Sequence, residues 1–284
     1  MMLPTWLIEA GVYGSEADPL LAEIRRQGMV GELLPHGSLK KGSTPSIGGK
    51  TLAPGDCVIG YGTFPFARQI QLHQRWTPGA WCTQENLDCA AYFAYFGKFL
   101  LNQHYAILTG VEAIRQADWL FSLFGDDDEV FVRPTGCQKL FVGRRVGRDD
   151  FRNALSPARY DPLTQVVVAA TKEIDREWRL VVIGDRVIAG SQYAQSGQRS
   201  IAAGFPAEVE AFARDMLAEV RWRPDPVFML DICESADQLW LVELNGFSCS
   251  WLYDADLKLV VEEASKLASD VWGKNAATVP RSRA

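Results

Sequence analysis

The chain has 284 residues, enough for one large domain or two, and its 48% hydrophobic and 23% charged residues are the balance of an ordinary globular protein. A net charge of −6 argues against a general nucleic-acid binder, which needs a basic surface to displace counterions, but leaves room for a local basic cleft. No apolar run approaches the roughly 20 residues of a membrane span. The opening Met-Met-Leu-Pro-Thr-Trp-Leu-Ile-Glu has neither the cationic start nor the long apolar stretch of a secretory signal.

Six cysteines (Cys57, Cys82, Cys89, Cys137, Cys233, Cys249) form no Cys-x-x-Cys pair and sit in mostly apolar surroundings. They read as reduced core residues of a cytoplasmic protein. His36, His73 and His104 stand apart without a motif, which argues against a zinc site and against a Cys–His nucleophile.

Residues 5–10 make a short apolar strand, and Asp18-Pro19 opens a helix over 18–27. Strands follow at 29–34 and 57–61. The Gly-, Ser-, Lys- and Pro-rich segment 36–55 is a loop that lacks P-loop spacing. Residues 85–125 read as mainly helical, with Ile114, Ala117, Leu120, Phe121 and Phe124 at helical spacing, and the acidic run 126–129 as an exposed turn. Beyond residue 130 the pattern changes to hairpins. Strands are predicted at 130–133, 139–143, 165–170, 177–183, 187–193, 227–233 and 239–245, with helices at 149–154, 206–220 and 256–272. These observations divide the chain into an α/β domain over 1–105 with a helical connector to about 128, a second region over 129–274, and a flexible polar tail over 275–284.

The hairpin over 226–245 is the most informative. Phe228, Leu230 and Ile232 share a face with Trp240, Val242 and Leu244, which leaves Asp231, Glu243 and Asn245 on the other. A turn centred near Asp237 puts Asp231 across from Glu243, with Cβ atoms about 5 Å apart. Two such carboxylates repel unless a cation lies between them. Asp, Glu and Asn oxygens suit Mg²⁺, which takes one or two carboxylates and keeps water or phosphate elsewhere. A solvated polar face on an ordinary hairpin is the alternative.

A second hairpin, centred near Gly136, places Arg133 opposite Lys139. Opposed cations are destabilising unless an anion sits between them or both splay into water. A third, turning at Gly184-Asp185, projects Glu177 and Arg179 from one face while Trp178, Leu180 and Val182 cover the other. Cations, a Glu/Arg pair and a set of oxygen ligands are what a magnesium–nucleotide complex requires.

At this point the chain resembles the ATP-grasp superfamily over about residues 1–272. Arg133-Pro stands where that family has a phosphate-binding Lys-Pro strand. Residues 165–170 are similar to its hinge strand, Glu177-Trp-Arg179 to its Glu-x-Arg strand, and Asp231 with Glu243-Leu-Asn245 to its metal ligands. Arg133 in place of lysine, and the shortened glycine loop before Lys139, resemble a branch with an Arg-Pro/Lys-x-Phe signature.

The resemblance implies an α/β (α+β) fold in which an N-terminal α/β domain precedes a two-lobed region of antiparallel sheets. It implies ATP and Mg²⁺ as cofactors. Arg133, Lys139, Val168, Glu173 and Glu177 would contact the nucleotide, and Asp231, Glu243 and Asn245 the metal. Arg179 would stabilise the transferring group, and Arg199, in a lid loop over 195–203, would meet a substrate carboxylate. The implied activity is a ligase that joins a small-molecule or peptide carboxylate to an amine through an acyl phosphate. A small-molecule kinase of the same fold and a nucleotide-binding protein without turnover are the alternatives.

Overall fold

Trp6, Leu7 and Ile8 are wholly buried, as the apolar run of a strand covered on both faces should be. In the computed structural model, which describes residues 2–278 apart from 13, 41, 43, 44, 48, 139 and 157–159, this strand is β1 (Thr5–Glu9). It pairs in parallel with β2 (Val30–Leu34). A short hairpin of β3 (Ser46–Ile47) and β4 (Lys50–Thr51) stands apart within the segment read as loop. Parallel strands β5 (Cys57–Tyr61) and β6 (Thr77–Gly79) complete a sheet of order β2-β1-β5-β6.

Helix α1 (Ala17–Arg26) buries Ala17, Leu20, Leu21 and Ile24, one face at helical spacing, and places Arg25 and Arg26 in its last turn, where the helix dipole favours cations. Helix α2 (Phe64–His73) starts at Thr63, whose hydroxyl accepts from the Phe66 amide at 3.3 Å. Helix α3 (Cys89–Phe96) is capped by Asp88.

The segment after α3 departs from its sequence reading. The helical reading holds over 110–124, but the segment opens with a strand. Strand β7 (Tyr105–Thr109) joins a second, antiparallel sheet, and helices α4 (Gly110–Arg115) and α5 (Ala117–Phe124) pack on it through Ala113, Leu120 and Phe121. Alternating burial marks β8 (Glu129–Pro134), the next strand. Its partner is β9 (Arg144–Gly147) rather than 139–143, with Val132 opposite Arg144 and Glu129 opposite Gly147. Residues 140–143 are irregular, so the apolar alternation there did not make a strand. Cys137 is buried, with its thiol 3.9 Å from the Gln84 carbonyl, and this holds the connection open instead of closing it as a tight turn. Helix α6 (Arg148–Ala154) leads to β10 (Gln165–Ala169), which lies between β7 and β8.

The third sheet has the order β13-β12-β11-β14-β15 and is antiparallel throughout: β11 (Arg176–Ile183), β12 (Arg186–Gln195), β13 (Gln198–Ala203), β14 (Val227–Ser235) and β15 (Gln238–Gly246). Trp178, Leu180 and Val182 cluster on one face with Val209, Ala213 and Met216 of α7 (Ala207–Glu219). Val181, Ile183 and Met229 pack on the other with Val260, Val261 and Ala264 of α8 (Leu257–Thr278), which also holds β1 through a hydrogen bond from Trp6 to Ser265 at 3.0 Å. The helix continues through Thr278, so the expected frayed tail does not begin at 275; the helix-forming Ala276 and Ala277 carry it on. Residues 279–284 lie outside the described residues. The result is an α/β layer followed by two lobes of antiparallel sheet. Among the described residues, no helix is long and apolar enough to cross a membrane.

Candidate functional site

Strand alternation puts Glu177, Arg179, Val181 and Ile183 on one face of β11. The two apolar residues are buried under α8, and the two charged ones extend beyond it toward the gap between the lobes. Antiparallel register sets Arg179 opposite Asp231, and Asp231 opposite Glu243. Arg179 grips Asp231 with two parallel bonds, Nε to Oδ1 at 2.8 Å and Nη2 to Oδ2 at 2.7 Å. The Asn245 amide donates to Asp231 Oδ2 and to Glu243 Oε1, both at 3.0 Å, so these three side chains converge.

A bulge refines the expected face. Asp231 pairs with Glu243 but Ile232 pairs with Leu241, which makes Val242 an extra residue on β15. Leu241, not Val242 or Trp240, therefore enters the core beside Ile232, and Val242 turns toward the cleft with Glu243.

Arg133 extends from the second sheet to close the site, its Nη2 lying 2.9 Å from Glu243 Oε2. It thus pairs with a carboxylate of the other lobe. Lys139 itself lies outside the described residues. Glu177 accepts a hydrogen bond from the Tyr193 hydroxyl at 2.8 Å. Burial pushes the Glu177 carboxyl above its ordinary value, the Tyr193 bond pulls it back, and the charges of Asp231 and Glu243 add to the rise.

Between the lobes lies a cavity of about 830 Å³, within the range of small-molecule sites. Its walls bring the cations Arg133, Arg144, Arg145 and Lys172 together with apolar Phe131 and Val242. Glu173, Glu177 and Glu243 line it as well. Glu173 is tied to Arg145 at 2.5 Å. Val168 does not reach this space: it is fully buried in the core of the second sheet, on a central strand whose backbone faces Ala106 on one side and Val132 on the other. The chain borders the cavity farther on, at Ala170 and Lys172. Arg199 is not on a loop. It lies on edge strand β13, beside a smaller adjoining groove. Arg144, Arg145, Lys172 and Tyr193 were missed by the motif reading; the Arg-Arg pair opening a strand was the available signal.

The sequence over residues 111–262, more than half of the chain, matches the model of an ATP-grasp domain, the second family of one clade of that superfamily. The chain belongs to that ATP-grasp family. No curated protein matches it. Among solved structures it is similar to D-alanyl-alanine synthetase A from Vibrio cholerae, at 13% identity and a TM-score of 0.62, covering 96% of this chain and 99% of that one. It is similar to the D-cycloserine synthetase DcsG at 13% identity and a TM-score of 0.61, with coverage of 93% and 99%. The ATP-grasp ligase PsnB, in a complex with minimal precursor, Mg and ADP, matches at 14% identity and a TM-score of 0.56, with coverage of 93% and 98%. At these identities the likeness is one of fold.

ATP-grasp proteins take ATP with Mg²⁺, and the donor set of this ATP-grasp chain fits both. Among the described residues, no three His, Cys, Asp or Glu side chains make a metal cage by themselves. Two carboxylates and an amide oxygen are instead what Mg²⁺ uses when phosphate and water supply its remaining ligands. Glu177, Asp231 and Glu243 also outnumber Arg133 and Arg179 at the centre of the site, which leaves a negative excess there. A cation beside the carboxylates reduces that excess.

Proposed function

We propose that this protein is an ATP- and Mg²⁺-dependent ligase that joins the carboxylate of an amino acid, peptide or related small molecule to an amine. The observation that carries the reading is the convergence of Asp231, Glu243 and Asn245 with Arg133 and Arg179 beside the inter-lobe cavity. The names of its structural neighbours, two synthetases and a ligase, support the reaction class.

In this reading Asp231, Glu243 and Asn245 hold Mg²⁺, and Arg133, with Lys139, holds phosphate oxygens. Glu173 and Glu177 border the nucleotide. The substrate carboxylate takes the γ-phosphoryl group of ATP, which releases ADP and leaves an acyl phosphate. The amine then adds to the acyl carbon, inorganic phosphate departs, and the amine gives up a proton. Arg179 is preorganised by Asp231 and by its contact with the Trp251 carbonyl at 3.4 Å, and it stabilises the charge that builds on the transferring group. No side chain acts as nucleophile, because one substrate attacks the other.

A screen of ADP release against pooled amino acids, peptides and small acids with Mg²⁺ tests the proposal. A ligase consumes ATP fully only when acid and amine are both present. ADP formed together with a phosphorylated product from a single substrate indicates a kinase instead. Nucleotide binding without consumption under every pool overturns the enzymatic reading.

A further inference from the structure

The groove beside Arg199 has a composition that the nucleotide site does not use. It measures about 300 Å³ and touches the larger cavity at Tyr193 and Gly197, which border both. One wall is a row of near-parallel rings. Tyr193 stacks on Tyr253 at 5.3 Å and 12°, and Tyr253 on Trp251 at 6.2 Å and 23°. The other wall is the β12–β13 hairpin, which turns at Ser196-Gly197 with positive φ and carries Arg199 opposite Ala194.

This row is held in place from the turn that precedes α1. The two carboxylate oxygens of Glu16, just before α1, accept hydrogen bonds from the Leu252 amide at 3.2 Å and the Tyr253 amide at 2.9 Å. Tyr253 adopts a φ of +53°, a strained backbone that needs such fixing. Ser191 of β12 accepts from the Asp254 amide at 3.3 Å on the other side. The groove is therefore a built surface made by three parts of the chain.

Its electrostatics select the ligand. Arg179 lies over Tyr193 and Tyr253 at 5.6 and 5.4 Å, and Arg199 lies over Trp251 at 5.5 Å. Aromatic faces that already carry guanidinium groups would set a cationic ligand against like charges. Among the described residues, Arg179 is paired with Asp231, whereas no carboxylate lies within ion-pairing distance of Arg199. A planar guanidinium with open donors beside flat rings fits a carboxylate attached to a flat apolar group. Phosphate has four cations to meet in the larger cavity and one here.

We infer that the groove between Arg199 and the Tyr193–Tyr253–Trp251 row seats the acid substrate of the ligase proposed above, and that this acid carries an aromatic side group. Arg199 orients its carboxylate, and the rings hold the aromatic group while the carboxylate faces the nucleotide across Tyr193 and Gly197. The inference rests on the ligase reading, and the test separates the two.

3-Phenylpropionate, 3-phenylpropan-1-ol and hexanoate are titrated by ligand-observed NMR into the protein with Mg²⁺ and a non-hydrolysable ATP analogue. Wild type, Arg199→Ala, Arg199→Lys and Trp251→Phe are compared. The acid should bind wild type about tenfold more tightly than the alcohol, as expected for a hydrogen bond to a charged group, and more tightly than hexanoate. Arg199→Ala should remove that preference, Arg199→Lys should restore part of it, and the nucleotide analogue should bind every variant equally. Acid binding unchanged in Arg199→Ala, or hexanoate as tight as 3-phenylpropionate, overturns the inference. If the analogue binds and no acid does, this inference alone fails; if the analogue does not bind wild type, the nucleotide reading fails first.

Discussion

Arg133 of β8 and Glu243 of β15 meet across the two lobes, Nη2 to Oε2 at 2.9 Å, with side chains only 11% and 10% exposed. Removing one member of a buried pair strands the other charge, which typically costs about 3–5 kcal/mol. Glu243→Gln and Arg133→Gln should each lower the melting temperature, and the double variant should recover part of the loss. Turnover of Mg-ATP should be absent from all three. Thermal melts beside ADP-release assays read both quantities, and turnover in Glu243→Gln would show that the metal does not depend on this carboxylate.

Arg179→Lys keeps a positive charge near Asp231 but cannot reproduce the two-bond fork seen at 2.8 and 2.7 Å. Turnover should fall by about 10²-fold, the scale of losing one preorganised donor to developing charge. Nucleotide affinity should change by less than about threefold, because Arg133 and not Arg179 borders the larger cavity. Steady-state rates and a nucleotide titration check the split. A loss confined to affinity would mean that Arg179 grips the ground state.

Gly190 ties the fold to the site. A methyl group there would lie 2.6 Å from Leu180, 2.7 Å from Phe205 and 2.8 Å from the carbonyl of Arg179. The carbonyl is backbone and cannot rotate away. Gly190→Ala should cost about 1–3 kcal/mol by overpacking. It should also depress turnover, since relief requires β11 to shift at Arg179. Denaturant melts and ADP release measured together would reveal a stable variant with full activity, the outcome that excludes this coupling.

Asp225 accepts bonds from the Thr83 amide at 2.8 Å and the Thr83 hydroxyl at 2.7 Å, yet burial outweighs them and raises its carboxyl from the ordinary 3.8 to about 6. The folded protein then holds this proton more tightly than the unfolded chain does. The associated stability is complete below pH 3.8 and is lost as pH rises toward about 6. The two-unit difference sets a ceiling of about 3 kcal/mol. Asp225→Asn should flatten that decline in a series of melts between pH 4 and 7. An unchanged slope would assign the pH dependence to other groups.

Short turns and strict alternation made much of the site legible in the sequence alone. By residue counting, strict alternation put Glu177 and Arg179 on one face, and a turn centred near Asp237 put Asp231 across from Glu243. The turn at Ala236-Asp237 alone would pair Asp231 with Val242, and the bulge at Val242 brings Glu243 into place. The same counting failed over 135–143. The described residues there, 135–138 and 140–143, are irregular and anchored by Cys137, and no local pattern distinguishes them from a strand. Burial of Val168 and the bulge at Val242 were also beyond reach, because both depend on which neighbour lies on each side of a strand. The decisive pairings, Arg179 with Asp231 and Arg133 with Glu243, join strands far apart in the chain. Arg199 shows the same limit: as part of a polar segment it read as a loop residue, and only pairing of β13 with β12 opposite the Trp251–Tyr253 turn gave it a place beside the rings. Local periodicity determines which residues share a face, and long-range packing decides which faces meet.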